Sequence, residues 1–150
     1  MQLEFINDIE KSENFKFFRH ILSMPFIYSM AFPIIALDIF ISIYQYFAFP
    51  LYGIEKVKRK DYIIYDREFL SHLNRMQKLN CLYCTYSNGL LAYSVEIAGR
   101  TERYWCPIKH SKKMEGEHKY VQDFAEFGDA KLFQEKYNEI ENTGIYSKNK

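Results

Sequence analysis

From Phe26 to Phe49 the chain reads FIYSMAFPIIALDIFISIYQYFAF, 24 residues with a single charge, Asp38. A membrane-spanning helix needs about 20 predominantly apolar residues, so this run is long enough to cross with some tilt. It leaves no polar face for water, which argues against the core helix of a soluble domain. Tyr28 stands near one end and Tyr44 and Tyr46 near the other, where an aromatic belt would lie. Pro50 and Gly53 then stop the helix. Pro33 opens a second geometry, a re-entrant segment that dips into one leaflet and returns. Two full crossings are excluded, because Ile21 to Ile54 is only 34 residues and two spans need about 40.

The flanks predict an orientation. Lys56, Lys58, Arg59 and Lys60 follow the anchor closely, with Arg67 beyond, whereas Lys11, Lys16 and Arg19 before it are diluted by acids. A basic C-terminal flank predicts that the residues after the anchor are cytoplasmic, in a cell or inner membrane. Asp38 would then sit near mid-bilayer, where a charge costs about 2.5–3.5 kcal/mol and usually faces protein or water. Asp38, Ser42 and Gln45 fall at i, i+4 and i+7 and share one helical face. That stripe is a candidate intramembrane contact with a membrane-protein partner or a second copy of the chain.

The whole-chain figures agree with an anchor plus one small module. Mean hydropathy is -0.33, so the anchor is hidden in the average. Net charge is +1, which points to no nucleic-acid platform and no acidic tail. The first twenty residues carry Glu4, Asp8, Glu10 and Glu13 and do not read as a cleavable signal peptide. Four stretches follow: a polar segment at 1–20, the anchor at 21–54, a helical module at 55–127, and a short helix with a tail at 128–150. Within the module, Phe69, Leu70, Leu73, Met76 and Leu79 recur at helical spacing after Asp66 and Glu68. Leu90, Ser94, Ile97, Thr101 and Tyr104 repeat the pattern up to Pro107. Asn88-Gly89 between them is a turn signal. The expected fold is therefore all-α: one N-terminal membrane helix, spanning or re-entrant, then a cytoplasmic helical hairpin, Asp66–Ser87 against Leu90–Trp105. Residues 130–140 are expected to form a last short helix.

The chemistry-bearing residues cluster in that module. Cys81-x2-Cys84 and Cys106-x3-His110 offer three thiolates and one imidazole, a complete tetrahedral set for zinc or a ligand set for an iron–sulfur cluster. An odd cysteine number with a C-x-x-C pair fits thiols kept reduced in a cytoplasm. The Cys106-x3-His110 half resembles the ligand pair of the NEET-type iron–sulfur proteins. That family has C-x-C at the first pair and Asp-Gly after the third cysteine, where this chain has C-x-x-C and Pro107-Ile108. A continuous helix between Leu90 and Trp105 would hold the two pairs about 24 Å apart, and Gly99 is the one place that invites a fold-back. The hairpin instead sets Cys81 opposite Glu96, Cys84 near Tyr93, and Cys106 near His72. As alternatives to ligands, Cys81 and Cys84 read as small core residues, because free cysteine is among the most buried types.

Three functions from different classes compete. The first is a membrane-anchored accessory protein that docks a partner. The second is a metal or dithiol redox protein. The third is a small enzyme on a lipid-borne or anionic substrate, with Glu96 or His72 as base and Arg100 and Arg103 holding charge. The chain contains no G-x-S-x-G, Walker or G-x-G-x-x-G pattern. Lipid and a membrane-protein or self partner are the expected neighbours, and no nucleic acid.

Overall fold

The structure, a computed structural model, describes residues 13–143, with side chains from 18 to 142. The first residues of the polar segment at 1–20 and the end of the tail therefore lie outside the described residues. Among the described residues there are four α-helices: α1 (Glu13–Ser29), α2 (Ala31–Leu51), α3 (Arg75–Trp105) and α4 (Ala130–Thr143). Short 3-10 turns stand at Arg59–Asp61, Arg67–Phe69 and Lys119–Asp123. The fold is all-helical as expected, with no β-strand among the described residues. The chain divides into two units, 1–37 and 38–150, and the boundary falls inside α2.

The stretch Phe18–Leu51 is long and apolar enough to cross a membrane, and almost none of it is buried. In the first unit, Phe18, Leu22, Phe26 and Phe32 are all more than half exposed. The apolar stretch is interrupted by a turn at Met30, between α1 and α2, and Pro33 falls in the first turn of α2, where a missing N–H does no harm.

In the second unit, the hairpin expected at Asn88-Gly89 does not form. α3 runs unbroken for 31 residues, about 47 Å at 1.5 Å per residue. It starts later than Asp66, at an N-cap built by Asn74. The Asn74 side chain accepts from the Gln77 N–H at 2.8 Å, and the Gln77 side chain accepts from the Asn74 N–H at 2.9 Å. This reciprocal capping box satisfies donors that a helix start leaves free. Asn88 is absorbed into the helix, its amide donating to the Cys84 carbonyl one turn back at 2.9 Å. Gly89 serves close approach, not a turn. A Cβ there would lie 2.6 Å from the Tyr62 carbonyl oxygen and 3.0 Å from the Ile63 side chain. Gly99 likewise bends nothing, because the His118 ring lies where its Cβ would be, at 2.8 Å. Sequence patterns register that a glycine is needed but not which need it meets. The end of α3 is as expected, Trp105 before Pro107.

The packing of this unit follows from three segments in sequence. The Asp38–Leu51 part of α2 runs beside α3 in the same direction, as Asp38 bonds Tyr86, Gln45 bonds Tyr93, and the Tyr52 ring meets Tyr104. Two parallel helices require a return connection between them. Residues 52–74 supply it in largely irregular form, with Arg100 reaching the Glu55 carbonyl at 2.7 Å and Tyr62 lying against Gly89 and Tyr93. Phe49, Ile54, Val57, Ile63, Leu90, Tyr93 and Ile97 are buried together in this unit's core. Beyond α3, Ile108 and Ala125 form an isolated bridge, with the Ala125 N–H donating to the Pro107 carbonyl and the Lys109 N–H to the Ala125 carbonyl, each at 2.8 Å. This holds Tyr120 and Phe124 in the buried set. α4, slightly longer than expected, packs on α3.

Candidate functional site

The residues that sequence reasoning selected on the anchor do share one face, and their partners lie within the chain. Asp38 is gripped by Arg59, which donates from its two terminal nitrogens, Nη1 to Oδ1 and Nη2 to Oδ2, the latter at 2.7 Å. Tyr86 donates to the same oxygen at 2.8 Å, and the Ser42 hydroxyl approaches Oδ1 at 3.4 Å. A carboxylate with two donors from one guanidinium is held in a fixed plane. Gln45 is buried and fully engaged. Its Oε1 accepts the Val57 N–H at 2.7 Å, and its Nε2 donates to the Val57 carbonyl at 3.3 Å and to the Tyr93 hydroxyl at 2.8 Å. Gln45 thus replaces a backbone partner for Val57, whose peptide groups would otherwise be buried unpaired. Burial lifts the Tyr93 hydroxyl above its ordinary pKa, with the Gln45 bond working the other way, so it stays a neutral phenol. The stripe Asp38–Ser42–Gln45 is therefore a polar seam that fastens α2 to the module.

A second polar centre lies farther along α3. Glu96 is a carboxylate only 8% exposed, bonded by Arg100 Nε at 2.9 Å, by Lys119 Nζ at 3.1 Å and by the Tyr120 hydroxyl. Burial opposes its charge, but these three donors outweigh burial and hold its pKa below the ordinary 4.5. The Tyr62 hydroxyl is pushed up by burial first and by the neighbouring Glu96 charge second. The Glu96–Arg100 pair was legible at i, i+4. Lys119 and Tyr120 were not, because they return from 19 or more residues away. Arg103 stacks over the Tyr120 ring at 5.5 Å, and His72 stands exposed at the far end of the module. Glu96, Arg100 and Arg103 thus lie in one neighbourhood and His72 does not. A carboxylate held by three donors with a lowered pKa is a weak base, the opposite of the tuning that favours proton abstraction.

The sulfur residues are dispersed. Cys81 and Cys84 lie one turn apart on α3, and Cys106 caps its C-terminus. Cys84 and Cys106 are separated by about 33 Å of helix rise, so a common metal is out of reach. No group of three or more His, Cys, Asp or Glu side chains suited to a metal occurs among the described residues. The juxtapositions that the hairpin implied fall with it: Cys81 and Glu96 are on one helix about 22 Å apart, and Cys106 and His72 stand beyond opposite ends of α3. All three cysteines are free, and Cys84 and Cys106 are exposed. Near them, His110 is exposed while His118 is not: its Nε2 pairs with Glu102 at 2.6 Å and its buried Nδ1 has no hydrogen-bond partner.

Sequence reasoning missed Arg59, Val57, Tyr86 and Tyr93 as the partners of the seam. One signal was available. Asp38 and Gln45 are seven residues apart, and so are Tyr86 and Tyr93. Equal two-turn intervals are what two helices packed in parallel require for matched polar rungs. Comparison with known protein families, characterised proteins and solved structures finds no match.

Proposed function

We propose that this is a small membrane-anchored accessory protein, whose apolar N-terminal helical segment holds a helical module at the cytoplasmic face of the cell membrane. The observation that carries the reading is the exposure of Phe18–Leu51, an apolar stretch long enough for a bilayer and almost unburied by its own chain. Large apolar side chains left in water at this density mark a membrane or protein contact. The basic residues Lys56, Lys58 and Lys60, all exposed, support the cytoplasmic side. The accessory role is favoured over an enzyme with Glu96 as base because three donors of its own chain hold that carboxylate and lower its pKa. The partner, a membrane protein or a second copy, meets surfaces other than the Asp38–Gln45 seam, which is closed.

Alkaline carbonate extraction and vesicle flotation test the anchor. The protein is expected to stay with the lipid, and Ile27→Arg with Phe32→Arg to release it. Release of the wild-type protein into the supernatant would sink the reading. Mild-detergent purification tests the partner: Asp38→Leu weakens the module itself, so any specific partner is lost only together with the module's fold. Loss of a partner from a fully folded Asp38→Leu protein would restore a direct intermolecular role for Asp38.

A further inference from the structure

The second half of α2 has two faces of opposite character. Asp38, Ser42, Gln45 and Phe49 face the module, closed by bonds and burial. Ile39, Phe40, Ile43, Phe47 and Leu51 face outward, each more than half exposed, Phe40 at 72% and Leu51 at 80%. Charged residues accompany the closed side along its length. Lys58, Lys60 and Asp61 are exposed next to Arg59, at the level of Asp38. Lys56 places its ammonium 4.4 Å from the centroid of the Tyr46 ring, at the rim between the two faces.

Two placements in a membrane conflict with this arrangement. If Asp38–Leu51 crossed the hydrocarbon, Lys58, Lys60 and Asp61 would enter it exposed and unpaired, the least tolerated condition for a charge in a bilayer. If it stood clear of the membrane, five large apolar side chains would remain in water. We infer that Asp38–Leu51 lies in the plane of the membrane surface, its outward stripe seated at the headgroup–acyl boundary of an anionic leaflet. An amphipathic helix in that position buries its apolar face about 5–10 Å deep while its polar side stays wet. The wet side here is protein, the module itself. Lys56, Lys58 and Lys60, all exposed, complement anionic headgroups. The inference rests on the membrane-anchor reading and specifies how this part of the anchor meets lipid.

Depth measurement decides it. In full-length protein with Cys81, Cys84 and Cys106 replaced by serine, single cysteines from Phe40→Cys, Phe47→Cys and Leu51→Cys carry an environment-sensitive fluorophore. Each labelled protein is reconstituted in mixed phosphatidylglycerol–phosphatidylcholine vesicles, and quenching by lipid-borne spin labels at two depths is compared with quenching by aqueous iodide. Trp105 fluorescence, set by its contact with Tyr52, reports that each variant is folded. Equal, shallow depth at all three positions is the expected result. A crossing helix would separate positions 40 and 51 by about 16 Å of depth, and that gradient would overturn the inference while leaving the anchor intact. Labels shielded from both quenchers would also overturn it, because a protein partner or second copy then covers the stripe. Failure of the vesicles to float the protein removes the anchor reading and this inference together.

Discussion

The two halves of the apolar stretch, Phe18–Leu37 and Asp38–Leu51, have similar composition and different fates. In the first, Phe18, Leu22, Phe26 and Phe32 are each more than half exposed. In the second, one face is sealed by Arg59, Val57, Tyr86 and Tyr93, and only the other remains apolar and open. Three polar side chains at i, i+4 and i+7 make the difference. Each is a group whose burial is costly unless paired, so each demands a partner at a fixed place. Apolar packing tolerates many neighbours, whereas Gln45 accepts only a donor and an acceptor spaced like those of Val57. The lesson is that a few satisfied polar groups convert part of a long apolar helix into a docking rail for its own domain.

The contrast between the halves can be broken most forcefully at the Asp38–Arg59 pair. Arg59→Ala leaves a carboxylate that is only 14% exposed without its main partner. The expected loss is about 3 kcal/mol of module stability, read by thermal unfolding in mild detergent through Trp105 fluorescence. Asp38→Leu with Arg59→Leu is expected to recover most of that loss, since no charge is then left unpaired. A double variant as weak as the single one would show that the pair itself, and not the orphaned charge, sustains the seam.

Next in size is the backbone approach that the seam makes necessary. Gly89→Ala forces a methyl to within 2.6 Å of the Tyr62 carbonyl, and about 1–3 kcal/mol of destabilisation is expected from overpacking. Gln45→Leu keeps the side-chain size but strands the Val57 peptide groups, with an expected loss of about 1–3 kcal/mol. Either variant with unchanged unfolding would contradict the packing of the return segment on α3.

Glu96 sharpens the comparison through pH. Its pKa is lowered in the folded protein, so its contribution is fully present above the ordinary 4.5 and is lost as pH falls through its lower folded value. Glu96→Gln is therefore expected to destabilise the module at neutral pH, by about 1.5–3 kcal/mol, and to shrink the loss of stability below pH 4.5. An acid-unfolding profile identical to wild type would assign that sensitivity elsewhere. Smallest of all are changes in the outward half of the anchor. Phe26→Leu and Ile35→Val should shift module unfolding by less than about 0.5 kcal/mol, because neither side chain is buried. A large effect there would erase the distinction between the halves.

Much of this molecule is legible in its sequence. The long apolar run, its stop before Gly53, the helix end at Pro107 and the terminal helix after Gly128-Asp129 all follow from local rules of length and backbone chemistry. The shared face of Asp38, Ser42 and Gln45 is legible too, as is the Glu96–Arg100 pair. Asn88-Gly89 misleads because the same dipeptide serves a turn and a crowded helix crossing, and only the Tyr62 carbonyl tells the two apart. The cysteines mislead for a related reason. Ligand-like spacing has meaning only once the path between the pairs is known, and that path is straight helix.

What the sequence alone determined is therefore the set of requirements: an all-helical chain, an apolar run long enough to cross a membrane, and a polar stripe within it that needs partners. Those follow from periodicity and composition, which are properties of neighbouring residues. Which groups meet those requirements was decided by tertiary structure. Arg59 lies 21 residues from Asp38, and Tyr86 and Tyr93 lie 48 residues from their partners on α2. Parallel packing of α2 and α3, with the return segment between them, brings these groups together. Hydrogen-bond geometry acts through space, so the matched intervals Asp38–Gln45 and Tyr86–Tyr93 are a hint of the pairing, and only the tertiary structure assigns the stripe to its own module.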